Sequence, residues 1–522
     1  MNGGQPFLIP RQLDVADLLA STGELFTVQE SGEESFKGIY YDTFDWRLFA
    51  ADLRFSRRGR LYFLQNRLGD SLVEAGVGPR RKKLFWWDFP EGELRNLLLP
   101  VVEQRALLPQ FTLAGRMRRV NLLNKDEKTV VRLVFQEITG QAQEQRFILE
   151  PIVLVEPLRG YEKQLQQVRR LLEDAGLSEI TDGYDPVAMA QTALSIDPRD
   201  TSSKFSVELA YGETVAEAVR DICLHLRSTM LLNVSGTLED IDSEFLHDLR
   251  VSVRRTRSLL SLMKKQLPVE GVKHFQAEFK WLGNVTGPVR DLDVYLLKEQ
   301  EYRDLLPEEL QAGLTLFFKD LSRRRKRALK KLRVHLRSAR FIKLLQNWEV
   351  FLRGLPEQPD YPQGKRRCRS VADAIISKRM NRILRQGQAI TAETPDEMLH
   401  ELRIEGKKFR YLLEFFRSLF ERDAVDEYLK HMKKLQNTLG DFNDLAVQKD
   451  MLSRQLQNLE PITRTRLATA AALGGLIVQL HTHQRQVRGR FEETFNAFAS
   501  EENVQLMEKI LAGIDEESSV EN

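Results

Sequence analysis

Two segments of the chain, 153 residues apart, carry the same pattern of charged and apolar residues, and this repeat restricts the fold more than any other feature. They read "HDLRVSVRRTR" from position 247 and "HELRIEGKKFR" from position 400. The same spacing relates Lys280 to Lys433 and Gly287 to Gly440, while "VAEAV" at 215 and "VADAI" at 371 match 156 residues apart. The half of the chain that holds the repeat is therefore expected to fold as two similar helical bundles related by a pseudo-two-fold axis.

Each repeated segment predicts one amphipathic helix, with a basic stripe beside an apolar stripe. The basic stripe of the first copy comprises His247, Arg250, Arg254, Arg257 and Lys264. That of the second copy comprises His400, Arg403, Lys407, Arg410 and Arg417. The adjacent apolar positions, such as Leu249 and Leu402, are expected to face the core. Arg255 and Lys408 lie off the basic stripes.

The composition of the stripes favours an anionic ligand. An ordinary solvated helix face usually intersperses carboxylates with its cations, whereas the first stripe has none after Asp248 and the second has only Glu414. Arginine forks and mobile lysines suit phosphate oxygens. Nucleic acid and inorganic polyphosphate both qualify, but the stripes carry neither aromatic residues for stacking nor Asn and Gln for base edges. A base-free phosphate chain therefore fits these residue types better.

The first 195 residues have a different texture, because short apolar and aromatic runs alternate there with turn signals. The runs predict strands and read "GIYYDTFDWRLFAADLRFSRRGRLYFLQNR", "KKLFWWDFP", "TVVRLVFQEITG" and "RFILEPIVLVEPLRG". A helix, "YEKQLQQVRRLLEDAG", follows them and makes this part α+β. Residues 192–213 resemble a linker. From Thr214 onward the pattern is all-helical, with breaks near Pro268, Pro307, residues 354–364, Pro395 and Pro461.

Length and composition indicate a chain of several domains rather than one. With 522 residues, of which 42% are hydrophobic, the chain exceeds what one core usually serves. Two cysteines provide no disulfide framework, and no sequence window resembles a signal peptide or the ~18 apolar residues of a membrane span. We therefore expect a cytoplasmic location and no membrane partner. The net charge of +3 says little about partners, so local charge patterns carry that information.

A third basic run, "SRRRKRALKKLRVHLRSAR" at 322–340, contains no acidic residue. Its leucines form an apolar stripe, which permits either packing in a bundle or binding at a membrane surface. Packing in a bundle is the preferred interpretation, because the run itself contains no Trp or Phe that could act as a membrane wedge before Phe341.

The repeated segments, together with the "LGNVTGPVRDLDV" and "LQNTLGDFNDLAV" that follow them, resemble the two halves of a CHAD domain, the conserved-histidine α-helical domain. The resemblance covers about residues 205–510, and the predicted domain is 205–515 with repeat halves of about 205–350 and 365–510. It implies two pseudo-symmetric four-helix bundles, a basic cavity and non-catalytic binding of inorganic polyphosphate, with polyphosphate granules as a further expected partner. The implied polyphosphate-binding residues are His247, Arg250, Arg254, Arg257, Lys264, Lys280, His400, Arg403, Lys407, Arg410, Arg417 and Lys433. Arg290 becomes Asn443 in the second copy, so this position has no symmetric role.

The stretch "YYDTFDWRLFAADLRFSRRG" is similar to the early strands of CYTH domains, the triphosphate tunnel enzymes, and implies a tunnel-like antiparallel barrel over residues 1–195. Those enzymes hold Mg²⁺ or Mn²⁺ with an initial Glu-x-Glu-x-Lys strand and further acids on a late strand. Here the first acid is Asp14, and Ile152 and Leu154 precede a single Glu156. One glutamate cannot supply an octahedral site, so the domain is predicted to be degenerate, without metal, cofactor or enzyme activity.

Two alternatives stay open at this level. One is a metal-dependent triphosphatase in the N-terminal half, and the other is a nucleic-acid-binding module. A set of arginines could hold phosphate inside the barrel or could be ordinary outward strand residues: Arg54, Arg57, Arg58, Arg116 and Arg118.

Overall fold

The computed structural model describes residues 4–512 except 68, 76–77, 80, 143, 182, 199–204, 358–360 and 460–462. The chain divides into two compact units, Met1–Ser203 and Lys204–Asn522. The first unit is built on an antiparallel sheet and the second is all-helical. Residues 199–204 of the predicted linker and the predicted break at Pro461 lie outside the described residues.

Ten strands of the first unit form one sheet. They are β1 (Gln5–Leu8), β2 (Thr27–Asp42), β3 (Leu53–Arg58), β4 (Leu61–Asn66), β5 (Ser71–Ala75), β6 (Leu108–Leu123), β7 (Thr129–Ala142), β8 (Gln145–Ile148), β9 (Ile152–Pro157) and β10 (Ser178–Glu179). Their order is β10-β1-β9-β7-β6-β2-β3-β4-β5, and β8 pairs with β7. Over the described residues this path is open, with β10 and β5 at its edges. The predicted closed tunnel is not confirmed, because β10 and β5 do not pair over the residues that the structure describes.

The run "KKLFWWDFP" was predicted as a strand, and that prediction is wrong. Leu84 makes only an isolated bridge to Leu107, and a 3₁₀ helix follows at Trp86–Asp88. The Asp88 carboxylate accepts a hydrogen bond from the Phe85 amide at 2.9 Å, which closes a turn. The aromatic rings also stack on their own neighbours, with 4.5 Å between the centroids of Phe85 and Trp87. Aromatic content favours strands only when a partner strand is adjacent.

Five helices accompany the sheet. They are α1 (Val15–Gly23), α2 (Arg47–Ala50), α3 (Glu93–Val102), α4 (Glu162–Asp174) and α5 (Pro186–Ala193). Helix α4 is the one predicted from the sequence, and Gly176 just beyond its end has a positive φ of 88°, which glycine adopts readily. Its buried Val168 and Leu172 pack in one core with Val131 and Val153 of the sheet.

Thirteen helices are described in the second unit. They are α6 (Val215–Glu239), α7 (Ser243–Leu262), α8 (Val269–Leu297), α9 (Glu299–Asp304), α10 (Glu308–Gln311), α11 (Leu314–Leu336), α12 (Ala339–Gly354), α13 (Cys368–Gln388), α14 (Asp396–Phe415), α15 (Arg422–Gln457), α16 (Arg464–Gly489), α17 (Phe491–Phe498) and α18 (Glu501–Ala512). The predicted all-helical character is confirmed. In the part of the chain that the structure describes, no helix is both long and apolar enough to cross a membrane.

Local sequence explains where the key helices begin. Thr214 and Glu217 form a capping box at the start of α6, and Asp242 accepts from two amides of the first turn of α7, so both helices have satisfied N-terminal donors. Helix α7 and helix α14 contain the two repeated segments, and each has 20 residues. Their apolar stripes are buried in one core, including Leu249 and Leu402.

The third basic run forms most of α11 and packs into the helical unit, as preferred from the sequence. Leu321, Leu329, Leu332 and Leu336 are buried. Arg325 lies on this inner face and donates to Asp240 at 2.6 Å and to the buried Asp293. The helix is thereby fixed in rotation, with its inner face against the bundle.

Candidate anion-binding site

The two helices that carry the basic stripes lie side by side. Arg254 of α7 donates from Nε to the hydroxyl of Tyr411 on α14 at 2.8 Å. Next to it, Arg255 forms an ion pair with Glu414 of α14, with 2.6 Å between nitrogen and oxygen and both side chains 14% exposed. These contacts bring residues of both repeat copies to a common region between the helices.

Two cavities open there, and both repeat copies line each of them. Cavity I has a volume of about 600 Å³ and lies between α7, α8 and α14. Its charged lining residues are Arg254, Arg257, Lys280, Arg403, Lys407 and Lys408. No carboxylate lines cavity I among the described residues, and its remaining lining includes Ser258, Ser261 and Gln276. Cavity I is therefore a concave surface of six cations and neutral hydrogen-bonding groups.

Cavity II, of about 710 Å³, adjoins cavity I, because Arg254, Arg403 and Lys407 line both. It extends toward α8, α11 and α15. Its further charged lining residues are His247, Arg250, Arg290, Lys298, Arg324, Asp291 and Asp444. Cavity II thus differs from cavity I by containing two carboxylates, which occupy equivalent positions in the two repeat copies.

In the first copy, neutral groups hold the central cation. Arg250 donates from Nη1 to the carbonyl oxygen of Gly283 at 2.9 Å and to the hydroxyl of Thr286 at 3.0 Å. Gly283 and Gly287 of α8 leave the space that the guanidinium groups occupy, since a Cβ there would lie 3.2 Å from Arg257 Nη1 and 3.4 Å from Arg250 Nη1. The small residues of α8 therefore let long cationic side chains lie against its backbone.

In the second copy, carboxylates hold the equivalent cations. Arg403 forms an ion pair with Asp444 at 3.2 Å, and Arg410 forms one with Glu414 at 2.6 Å. Arg410 also donates to Gln436, which replaces Gly283 of the first copy. The scarcity of carboxylates within the second stripe therefore does not leave its cations unpaired, because Asp444 comes from α15, which the spacing within one helix does not reveal.

Burial and mutual repulsion shift the pKa values of the central cations. Desolvation is the main cause that lowers the pKa of Lys407 to about 8, and the charges of Arg403 and Arg254 add to it. Desolvation also lowers the pKa of Arg250 and of Arg403, against the attraction of Asp291 and Asp444 respectively. A bound anion would favour the charged forms of all three groups.

Residues 221–453 match the family model of the CHAD domain. This segment is a CHAD domain. Every residue that lines cavity I or cavity II lies within it. The resemblance deduced from the sequence is confirmed for this segment, and the predicted extent of 205–515 reaches beyond the matched residues on both sides.

The chain is similar to several proteins at low sequence identity. Two uncharacterized proteins of Mycobacterium tuberculosis, MT2285 of strain CDC 1551 / Oshkosh and Rv2226 of strain ATCC 25618 / H37Rv, are 27% and 26% identical over 214 residues, which is 40% of this chain and 40% of each relative. The crystal structure of the CHAD domain from the plant Ricinus communis matches with a TM-score of 0.48 and 23% identity, over 56% of this chain and 96% of that one.

The structure separates the twelve predicted site residues of the CHAD domain into two groups. Seven line a cavity: His247, Arg250, Arg254, Arg257, Lys280, Arg403 and Lys407. Five line neither cavity: Lys264, His400, Arg410, Arg417 and Lys433. Of the second group, His400 hydrogen-bonds through Nδ1 to Asn443 at 2.5 Å and Arg417 pairs with Asp426.

Four cations that line the cavities were not among the predicted site residues. They are Lys408, Arg290, Lys298 and Arg324. Lys408 lies off the predicted basic stripe, yet it lines cavity I together with Tyr411. Arg324 belongs to the third basic run. The absence of acidic residues from that run was the sequence signal that could have identified it as a site residue.

The arginines considered in the N-terminal unit mostly pair with carboxylates of that unit. Arg54 pairs with Asp185 and Arg118 with Glu30, while Arg116 lies 3.9 Å from Glu33 and is 71% exposed. The single late-strand acid, Glu156, accepts from Arg132 at 3.0 Å. Within the described ranges, no three His, Cys, Asp or Glu residues come together as a metal site.

Proposed function

We propose that the CHAD domain binds inorganic polyphosphate in cavities I and II and does not catalyse a reaction on it. The observation that carries this proposal is the lining of cavity I, which joins six cations from α7, α8 and α14 without a carboxylate among its described residues. Like charges about 8 Å apart repel by about 2 kcal/mol at an effective dielectric of 20, before screening by salt. A polyanion offsets this repulsion at several cations at once.

A chain of phosphates suits the site better than nucleic acid does. The one aromatic residue described in cavity I, Tyr411, is 8% exposed and stacks on Phe415 with 6.1 Å between ring centroids, so its face is not open to a base. Base stacking and recognition of base edges are the usual sources of nucleic-acid binding beyond phosphate contacts. The cavities offer phosphate contacts in two connected compartments.

The same proposal includes the finer architecture. The repeat supports two four-helix bundles related by a pseudo-two-fold axis, with α7 and α14 as equivalent helices at the centre. For the first unit we propose a degenerate relative of the CYTH fold, in which Glu156 pairs with Arg132 instead of holding a metal. The low cysteine content supports a cytoplasmic location.

A fourfold substitution in the shared cavity wall tests the function. In full-length protein, Arg250, Arg254, Arg403 and Lys407 are all replaced by Gln, and melting temperature is measured with and without polyphosphate of about 100 units. The parent is expected to gain several degrees from the ligand, because a ligand that binds only the folded state stabilises it. The variant is expected to lose most of this shift while remaining at least as stable without ligand, since the repulsion is gone.

The matched control replaces four exposed lysines that line neither cavity, Lys265, Lys365, Lys378 and Lys430, by Gln. It removes the same charge and is expected to keep the thermal shift. An equal loss of the thermal shift in both variants would mean that the interaction depends only on the net charge of the protein. Tighter binding of duplex DNA than of polyphosphate in a parallel titration would support the nucleic-acid alternative. Tripolyphosphate hydrolysis that requires Mg²⁺ and disappears in Glu156→Gln would establish the triphosphatase alternative.

A further inference from the structure

A second concentration of positive charge lies on α11, on the side opposite its buried leucines. Six cations are exposed there: Arg323, Lys326, Arg327, Lys330, Lys331 and Arg337. We call them the outer face of α11. From Arg323 to Arg337 this face is about 21 Å long at 1.5 Å per residue. Among the described residues, none of the six forms an ion pair with a carboxylate.

The orientation of this face is fixed from the inside. Arg325 is tied to Asp240 and Asp293, and Arg333 donates from Nε to the carbonyl oxygen of Leu238 at 2.7 Å. The helix cannot rotate these cations toward the core without breaking those contacts. The outer face of α11 is therefore held in solvent, although a soluble helix face normally mixes both charges.

Like charges at i and i+4 repel along this face. Arg323 and Arg327, and Lys326 and Lys330, are such pairs, and each destabilises the helix by a few tenths of a kcal/mol. The single acid of α11 is Asp320, whose carboxylate lies 4.0 Å from Arg324. A bound polyanion would convert these repulsions into attractions.

The outer face of α11 is continuous with cavity II. Arg324 lines cavity II, and Arg327 and Lys331 follow it at i+3 and i+7, which places the three side chains in one row along the helix. The row turns from the cavity edge onto the outer face. A phosphate chain leaving cavity II at Arg324 would therefore meet cations without an intervening described carboxylate of α11.

We propose that the outer face of α11 binds the part of a long polyphosphate chain that extends beyond cavity II, so that it selects for chain length. This inference rests on the proposed function. The face favours polyphosphate over a membrane or nucleic acid, because its one exposed apolar side chain is Val334, which is 67% exposed, and it presents no aromatic residue. Such a surface provides contacts to phosphate groups whose strength depends on the salt concentration.

The test compares short and long phosphates on full-length protein. The variant replaces Arg323, Arg327, Lys330 and Lys331 by Gln, a good helix former, and the control is the quadruple lysine variant described above. For polyphosphate of about 100 units, affinity is expected to fall at least about tenfold. The slope of log affinity against log salt concentration should become shallower by about 2 to 3, since each lost phosphate contact contributes roughly 0.7. Tripolyphosphate, which fits within the cavities, should bind the variant and the parent alike.

The outcomes separate this inference from the function on which it rests. If the parent binds neither phosphate, both proposals fail. If the parent binds both and the variant keeps its affinity for the long chain, the inference fails while the cavity site stands. Equal losses for tripolyphosphate and the long chain would also overturn it, because the four cations would then act at the cavity or through net charge. Loss of duplex DNA binding without loss of polyphosphate binding would reassign the face to nucleic acid.

Discussion

The two repeat copies place cations at equivalent positions beside the cavities but hold them differently. In the first copy Arg250 rests on a carbonyl and a hydroxyl of α8, and Arg257 lies against Gly283. In the second copy Arg403 and Arg410 pair with carboxylates. Thr286 has become Leu439, so the hydroxyl that holds Arg250 has no counterpart there, and Gly283 has become Gln436, which accepts from Arg410.

This difference shows that positioning a cation and leaving its charge available to a ligand are two separate properties of a site. A carbonyl or hydroxyl orients a guanidinium without neutralising it, whereas a carboxylate must be displaced or outcompeted before an anion can bind. The first copy is therefore expected to contribute more binding free energy than the second, although the two sequences carry cations at the same positions. The sequence repeat places the cations at equivalent positions, and the neighbouring helices decide how much of each charge is available to an anion.

The largest effect is expected from removing equivalent pairs of cations. Arg254→Gln with Arg257→Gln should weaken polyphosphate binding about 100-fold, since each lost bond to a charged group costs about 1.5 kcal/mol. Lys407→Gln with Arg410→Gln removes the same two charges at the equivalent positions. This pair should cost only about tenfold, because Arg410 is already paired with Glu414 and lines neither cavity. Isothermal titration at one salt concentration measures both.

Each pair serves as the control for the other, because both remove two positive charges from equivalent positions of the two repeat copies. Melting temperatures without ligand show whether either variant is simply unfolded. Equal losses of affinity would mean that the ion pairs of the second copy do not limit its contribution. A larger loss in the second copy would reverse the comparison.

The stripes were predictable because they depend only on the period of a helix. Spacings of three and four residues placed His247, Arg250 and Arg254 together and predicted the burial of Leu249, and the CHAD resemblance followed from the same segments. The ion pairs of Arg403 with Asp444 and of Arg417 with Asp426 were not predictable in this way, because both aspartates belong to α15. Which cations face a gap between helices is determined by how α7 and α14 pack.

The sheet of the first unit was likewise predictable only where local sequence decides the structure. Strands β3, β4, β7 and β9 follow from the predicted apolar runs, since such runs need only a neighbouring strand to pair with. Closure of a barrel and the strand predicted at "KKLFWWDFP" depended on partners elsewhere in the chain. There the Asp88 cap and the stacking of Phe85 on Trp87 provide local interactions that replace a strand pairing.

A smaller effect is expected from pH, and it concerns the second copy alone. With a pKa of about 8, Lys407 is mostly charged at pH 7 and mostly neutral at pH 9.5. Polyphosphate affinity should therefore fall roughly tenfold between these values, because binding the anion requires the proton. Lys407→Arg stays charged and should flatten this dependence, and titrations across the range compare the two proteins.

Stability without ligand should change in the opposite direction. The pKa of Lys407 is lowered in the folded state, so the unfolded chain binds more protons between pH 8 and the ordinary lysine value of 10.5. The cost of the buried charge is fully present below pH 8 and disappears as pH rises through this window. Chemical denaturation should show the parent gaining stability relative to Lys407→Gln over that range. An unchanged difference would mean that Lys407 has an ordinary pKa.

The smallest effect should come from removing one carboxylate, which moves the second copy toward the first. Asp444→Asn frees Arg403 from a partner that is itself 63% exposed, and exposed pairs are worth about 0.2 to 1 kcal/mol. Polyphosphate affinity should thus rise about two- to fivefold, with little change in stability. Because Asp444 also raises the pKa of Lys407, the comparison belongs at pH 6.5, where that lysine stays charged. Asp450→Asn is the matched control, since Asp450 lies on the same helix, is 58% exposed, pairs with Arg454 and lines neither cavity. If both substitutions raise affinity equally, the gain is a long-range charge effect, and competition between Asp444 and the ligand for Arg403 is excluded.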